Sequence, residues 1–549
     1  MNCKSIILLI VVLLFWGNAE ARKKKGKKVE EVQTESAYRK FFKGKACETA
    51  KGMITLHKMD GRVYFEIPLA LMGREMLMGS TISEITNNGF GSVGEKPKGL
   101  LYISFVRCDS VISLKQLTAQ YDTNEENLKQ RIKESTIPAT IKNFKITTYN
   151  EDSTAVVIDM TDYLVSADEA INPFSPWAPI LAGGERVMEK EFRRENSQVV
   201  SIKAFEDNVS VKSSLTYGLS LKNKVMYIFQ REPFTAVMTR SFILLPEHPM
   251  RPRLADPRIA IFSQGVSVFN GDSRGAQARY YAQRWNLEPK DMEQYRKGVL
   301  TEPKKPIVFY VDNTFPENWK KYIKEGVEVW QMAFEKIGFK NAIVARDFPV
   351  DDVTFDPDNL KYSCVRYSPS WVANAMGPSW TDPRTGEIIN ASVYLYHNLV
   401  KMVQNWRFIQ TGPADANVRK IVFDEETLGE CIRYVVSHEI GHCLGFMHNM
   451  AASSAIPVDS LRSPSFTQKY GTTYSIMDYA RNNYVAQPGD KEKGVKLTPP
   501  DLGLYDLFTV AWSYTPLPEA KTSEEEVPVL DRWITEKSGD PIYRYGKRK

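Results

Sequence analysis

Residues 438–448 read His-Glu-Ile-Gly-His-Cys-Leu-Gly-Phe-Met-His, and no other stretch narrows the possible folds of this chain as sharply. The i, i+4 spacing of His438 and His442 puts both imidazoles on one face of a helix, within reach of a single cation. A helix is expected upstream. Asp424 is a suitable N-cap, Glu425 and Glu426 fall in the first turn where the helix dipole favours acids, and Leu428, Ile432, Val435, Val436 and Ile440 give it a largely buried length. Gly445 can take the left-handed conformation that ends a helix, so that the chain turns sharply and His448 swings back as a third nitrogen ligand. Three histidines leave a fourth position for water, which is the arrangement of a catalytic rather than a structural zinc. Glu439 adjoins that position and is the natural general base. The chain holds six histidines in 549 residues, and half of them stand in this one motif, so a chance match is a poor explanation. The other three, His57, His248 and His397, are isolated and read as ordinary core or surface residues.

Charge points away from nucleic acid. The formal net charge is +6, and the segment Arg22 to Lys28 alone carries six positive side chains, so the rest of the chain balances and no basic face is left. That basic run, within a tail expected over 22–35, follows an export signal over 1–21. Lys4 opens it, an uninterrupted apolar run extends from Ile6 to Trp16, and Ala19 and Ala21 offer small residues for cleavage. The run is too short to span a bilayer, so an exported protein, periplasmic or extracellular and without stable membrane insertion, is expected. Behind the signal remain Cys47, Cys108, Cys364, Cys431 and Cys443, too few and too odd in number for a disulfide scaffold.

Three regions follow along the chain. Residues 36–88 show hairpin chemistry, with β-prone runs flanking Asp60-Gly61, and read as a small β domain. Within the glycine-rich stretch after it, Gly89-Phe-Gly91-Ser-Val-Gly94 matches a dinucleotide fingerprint. No buried strand precedes it and Pro97 with Gly99 blocks the helix that would hold phosphates, so the match is rejected. Residues 97–300 carry many short strands, among them Leu101–Val106, Thr154–Ile158, Val199–Phe205 and Val225–Phe229, and read as a sandwich or barrel of unassigned role. Thr301 to Pro306 looks like a linker into a mixed α and β region over 301–549. There, Ile307–Val311 is a strand, Trp319–Ile337 is a helix with Ile323, Val327, Trp330 and Phe334 on one face, and Gly386–Tyr396 is the expected edge strand. The fold class is therefore α+β, multidomain, β-rich first.

The motif resembles the extended zinc sequence of the metzincin metallopeptidases. Ser475-Ile-Met477-Asp-Tyr479 is similar to their Met-turn, which implies that Met477 forms an apolar base under the metal. Tyr479 stands where some members place a tyrosine that stabilises the oxyanion of the tetrahedral intermediate. A closer resemblance is to large secreted bacterial Met-zincin-like proteases with N-terminal domains of unknown function. It is carried by Arg251 to Arg258, Pro306 to Tyr310, Glu325 to Phe334 and Asp382 to Ile389. Asn449 departs from the Asp, Glu, Ser or Thr that several metzincin subfamilies carry after the third histidine. The resemblance implies a mixed twisted sheet, an active-site helix and one catalytic Zn2+ held by His438, His442 and His448. Glu439 would then be the general base in hydrolysis of a peptide or protein substrate, with Gly386–Tyr396 as the upper edge of the cleft. A secreted binding protein with a degenerate zinc site, or a zinc hydrolase of non-protein amides, are the alternatives.

Overall fold

The computed structural model describes residues 35–546 apart from 124, 177, 182–184, 272–274 and 499–500. The expected signal and most of the basic tail lie outside the described residues. Among the described residues, no helix is long and apolar enough to cross a membrane. The class is α+β, with a β-rich N-terminal region followed by a mixed α and β unit.

Asp60 (φ 53) and Gly61 (φ 73) both take positive φ and join strands Thr55–Met59 and Arg62–Pro68, as the turn chemistry predicts. That hairpin is not the core of a separate small domain. Strand Arg62–Pro68 pairs with Ala155–Asp159, and Glu75–Ile85 lies between Leu101–Cys108 and Tyr227–Leu244, all within one antiparallel 12-stranded sheet. A single buried cluster runs from Ile54 and Phe65 to Leu215 and Phe242. Strands of residues 36–88 and of 97–300 therefore share one sheet and one buried core. The Met53 N–H donates to the Phe205 carbonyl at 2.7 Å, and Lys58 donates to the Val200 carbonyl at 2.6 Å, joining the strand Gln198–Ala204 and the turn after it to the first hairpin. Val225 is exposed in the turn before strand Tyr227–Leu244, so the expected strand at 225 starts two residues later.

The second sheet runs in the order Ile343–Asp347, Ile307–Val311, Ser363–Ser368 and Ile388–Tyr396, all parallel, followed by the antiparallel Ala375–Met376 and Ser379–Thr381. The expected helix Trp319–Ile337 is split into Glu317–Glu328 and Gln331–Lys336. At the break the buried Trp330 indole donates to the Ser437 carbonyl at 2.9 Å. Gly326 lets the first of these helices lie against the motif helix, where a Cβ would come within 2.9 Å of the Arg433 carbonyl oxygen. Residue 301 does not divide two packed units: Thr301 is buried and bridges Phe339, Leu287 sits in the second core, and the Trp285 indole donates to Cys443 O at 2.9 Å. Proline-rich composition suggests a linker, yet an extended segment with its polar groups satisfied packs equally well.

The rejected nucleotide fingerprint has a structural use. Gly94 (φ 86) passes so close to Arg366 that a Cβ would sit 2.8 Å from its Nε, and the Tyr394 hydroxyl donates to Gly94 O at 3.1 Å. Lys96 donates to Ser392 Oγ at 3.1 Å and lies 4.4 Å above the Trp380 ring. Nearby, Lys203 and Lys212 of the first sheet reach Asp356, and Lys212 also reaches Asp358, of the second unit. The N-terminal region is thus tied to the second sheet and to the segment around Asp356 and Asp358. His57 is bonded to Glu66 and Thr49, His397 to the Tyr367 hydroxyl, and all five described cysteines are unpaired.

Candidate metal centre and cleft

The motif helix spans Glu425–Cys443, and Asp424 caps it by accepting from the Thr427 N–H at 2.9 Å. It ends where expected. Gly445 has φ 93, and a Cβ there would stand 2.1 Å from the Gln283 carbonyl oxygen. The turn after it is held by an upstream segment: Phe262 N–H donates to Gly445 O at 2.7 Å and Met447 N–H to Ala260 O at 3.0 Å. His448 is thereby returned to the helix face, with its Nε2 3.1 Å from His442 Nε2 and 3.2 Å from His438 Nε2.

Protonation follows from the partners. His438 Nδ1 lies 2.8 Å from the Ile476 carbonyl and His442 Nδ1 2.8 Å from the Phe446 carbonyl; carbonyls only accept, so both Nδ1 atoms carry the proton. Each Nε2 then presents a lone pair to the same point. Burial, reinforced by His442, holds His438 well below its ordinary pKa, and burial with the neighbouring His448 brings His442 down to about 4. Both rings are kept in the neutral, metal-binding form.

Glu439 is 9% exposed, and burial pushes its carboxyl up to about 8, with the Gly377 N–H pulling the other way. A divalent cation at the three imidazoles would lower it again. Tyr479 lies with its ring 4.6 Å from His448 and 5.6 Å from His438. Both side chains face a cleft of about 810 Å³.

The expected upper edge of the cleft is corrected. Strand Ile388–Tyr396 is almost wholly buried and paired on both sides, so it offers no free edge. The cleft wall is the segment 374–379, and Gly377 packs so tightly on the motif helix that a Cβ would lie 2.3 Å from Glu439 O. Two residues of strand, a glycine and Pro378 are too short and too broken to show the alternation by which strands are recognised.

Met477 lies under the helix at Gly441, whose Cβ, if present, would meet its Sδ at 2.2 Å. Its turn is held by a residue that sequence reasoning missed. The buried Asp506 carboxylate accepts from Ser475 Oγ at 2.6 Å, Ile476 N at 2.7 Å and Gly503 N at 2.7 Å. Ile476 in turn orients His438. A lone carboxylate in the apolar helix Leu504–Tyr514 was the available signal. Asp506→Ala strands three buried donors, so a loss of about 3–5 kcal/mol in thermal or denaturant unfolding is expected. Asp506→Asn, which keeps one acceptor oxygen, should cost less. Asn449 is buried too: its N–H donates to Met477 O at 3.1 Å, and its side chain donates to Arg544 O at 3.0 Å and accepts from Gly546 N at 2.9 Å. This tethers the C-terminal segment, bringing Tyr545 to the cleft wall.

Residues 420–549, which contain all three histidines, the Met477 turn and Asp506, match the family model described as Met-zincin. Residues 420–549 are a Met-zincin domain. Residues 96–290 match the model of a domain of unknown function (DUF5117), and residues 35–85 that of another (DUF5118). No curated protein and no solved structure matches the chain. The Met-zincin domain is of a zinc metallopeptidase-like type, and the ligand atoms of its three histidines lie within 4.8 Å of one another, close enough to hold a metal ion. The cleft wall at 374–379 precedes the matched segment, so the domain's cleft is completed by chain outside it.

Proposed function

We propose that the protein is an exported, zinc-dependent endopeptidase. The observation that carries this reading is the convergence of ring nitrogens of His438, His442 and His448 beside the buried Glu439 carboxyl, in the wall of a cleft of about 810 Å³. Two nitrogens bound to a tetrahedral zinc at about 2.0–2.1 Å lie about 3.3 Å apart, and the Nε2 separations of 3.1 and 3.2 Å fit that geometry. Three imidazole nitrogens grouped this closely are a donor set that suits zinc. Zinc there would supply Lewis acidity, polarising a peptide carbonyl and lowering the pKa of water.

The chain's own groups do the rest. Glu439, next to the first histidine and at the cleft wall, takes the proton from the attacking water and passes it to the leaving amine. We assign to the Tyr479 phenol, whose ring lies 4.6 Å from that of His448, donation to a developing oxyanion. The segment 374–379 offers main-chain groups along which an extended peptide can lie. The apolar stretch at Ile6–Trp16 with Ala19 and Ala21 supports export.

The test is purified protein with metal analysis and an unstructured protein substrate. One zinc per chain and cleavage at internal bonds are expected. Chelation should abolish cleavage and lower the unfolding temperature, since a ligand bound only by the native state stabilises it, and added zinc should restore both. Full zinc occupancy with no cleavage across broad peptide libraries would overturn the reading.

A further inference from the structure

We propose that Arg481 selects substrates carrying a carboxylate close to the scissile bond; this rests on the peptidase reading above and names the substrate chemistry of the same cleft. Arg481 follows the Met477 turn, its own N–H donates to Tyr479 O at 2.9 Å, and its side chain lines the cleft. Its guanidinium carbon lies 3.7 Å from the centroid of the Trp406 ring and 4.9 Å from that of Tyr479. Two aromatic faces therefore fix the plane of the fork, one ring away from His448. Stacking of this kind removes much of the rotamer entropy that an arginine otherwise loses on binding.

The cation is held but not neutralised. Among the described residues no carboxylate forms an ion pair with it, and the acids on the surrounding elements are committed elsewhere. Glu430 pairs with Arg407 at 3.7 Å, Asp415 with Arg407 at 3.4 Å and with Lys491 at 2.6 Å, and Asp501 with Arg433. Asp478 accepts from the Ser453 N–H at 2.7 Å. Within the cleft, Met402, Trp406, Tyr434 and Val435 make this side apolar, and Glu439 is the one acid among the lining residues. A planar fork with open donors, walled by apolar groups that strengthen its field, is built to take a carboxylate in bidentate fashion. Two sources share that chemistry: an Asp or Glu side chain flanking the scissile bond, and the free C-terminus of a short peptide.

Matched peptides separate them. One series places Asp, Glu, Asn, Ala or Lys at each position around a single cleavable bond with an amidated C-terminus, and the other holds the sequence neutral and compares a free with an amidated C-terminus. Each is read as kcat/KM with the zinc-loaded enzyme. Each is also read as Kd on the Glu439→Gln variant, by tryptophan fluorescence, which needs no turnover. One series should show a preference for the carboxylate of about 10- to 100-fold in both readouts. That preference should collapse to about one in Arg481→Ala and shift toward Lys in Arg481→Glu. Arg481→Lys keeps the charge but loses the fork, so it should keep only part of the preference. Cleavage indifferent to every carboxylate overturns the proposal and leaves the peptidase reading intact. Absence of cleavage with carboxylate-selective binding that Arg481→Ala removes overturns the peptidase reading and keeps the Arg481 site. Absence of both effects overturns the two together.

Discussion

Glu439→Gln should lower peptide hydrolysis by about 10²- to 10⁴-fold while the protein still binds zinc and folds. The amide has the shape of the acid but no proton affinity in the useful range, so the variant removes proton transfer and little else. Folding should not suffer, because a buried carboxyl that resists ionisation is replaced by a neutral group of the same size. The buried side of this carboxyl is set by Gly377, whose missing side chain allows the cleft wall to close on the helix backbone at Glu439. The measurement is kcat/KM on an unstructured protein, alongside zinc per chain and the unfolding temperature. Activity within tenfold of wild type, with zinc bound, would show that another group moves the proton.

The second large effect falls on Gly445. An alanine there meets two costs. A non-glycine residue at φ 93 is strained by about 1–2 kcal/mol, and the Cβ would lie 2.1 Å from Gln283 O. That oxygen belongs to backbone whose Gln283 N–H is itself bonded to Phe262 O at 2.8 Å, so it cannot swing aside as a side chain would. The turn must open instead, and His448 moves with it. Gly445→Ala should therefore cost about 2–5 kcal/mol of stability and weaken zinc binding at least tenfold. Gly441→Ala is the informative contrast. Its Cβ would also be too close to a neighbour, but that neighbour is the flexible Met477 side chain, so a smaller loss is expected. Equal losses in the two variants would contradict the role given to the Gln283 carbonyl. Chemical denaturation and competition with a zinc chelator measure the two quantities.

These two positions differ in how legible they were. Gly445 could be assigned from the chain alone, since three more residues to a histidine after a helix demand a sharp turn and only glycine makes it cheaply. Its contact with Gln283 could not, because 162 residues separate the two. The helix, its Asp424 cap and the triad were legible for the same local reason. Gly386–Tyr396 was misplaced because a buried strand in a parallel sheet and an exposed edge strand look alike over so few residues. The true wall, at 374–379, is made of short pieces whose role comes from what lies above and below them. The interleaving of 36–88 with 97–300 was hidden as well: each strand was visible, but the partner of each strand was not.

What the sequence by itself determined is what spacing along the chain controls: two imidazoles on one helix face, a third after a left-handed turn, a carboxylate beside them, and a hairpin at Asp60-Gly61. Backbone geometry is the same wherever such residues occur, so those features need no distant partner. Only the tertiary structure decided which acid anchors the Met477 turn, which segment borders the cleft, how the N-terminal region is tied to the second sheet, and which arginine in the cleft has no ion pair among the described residues. Those choices are made when buried polar groups find partners and apolar faces find cover across tens to hundreds of residues, and that search leaves no period in the sequence.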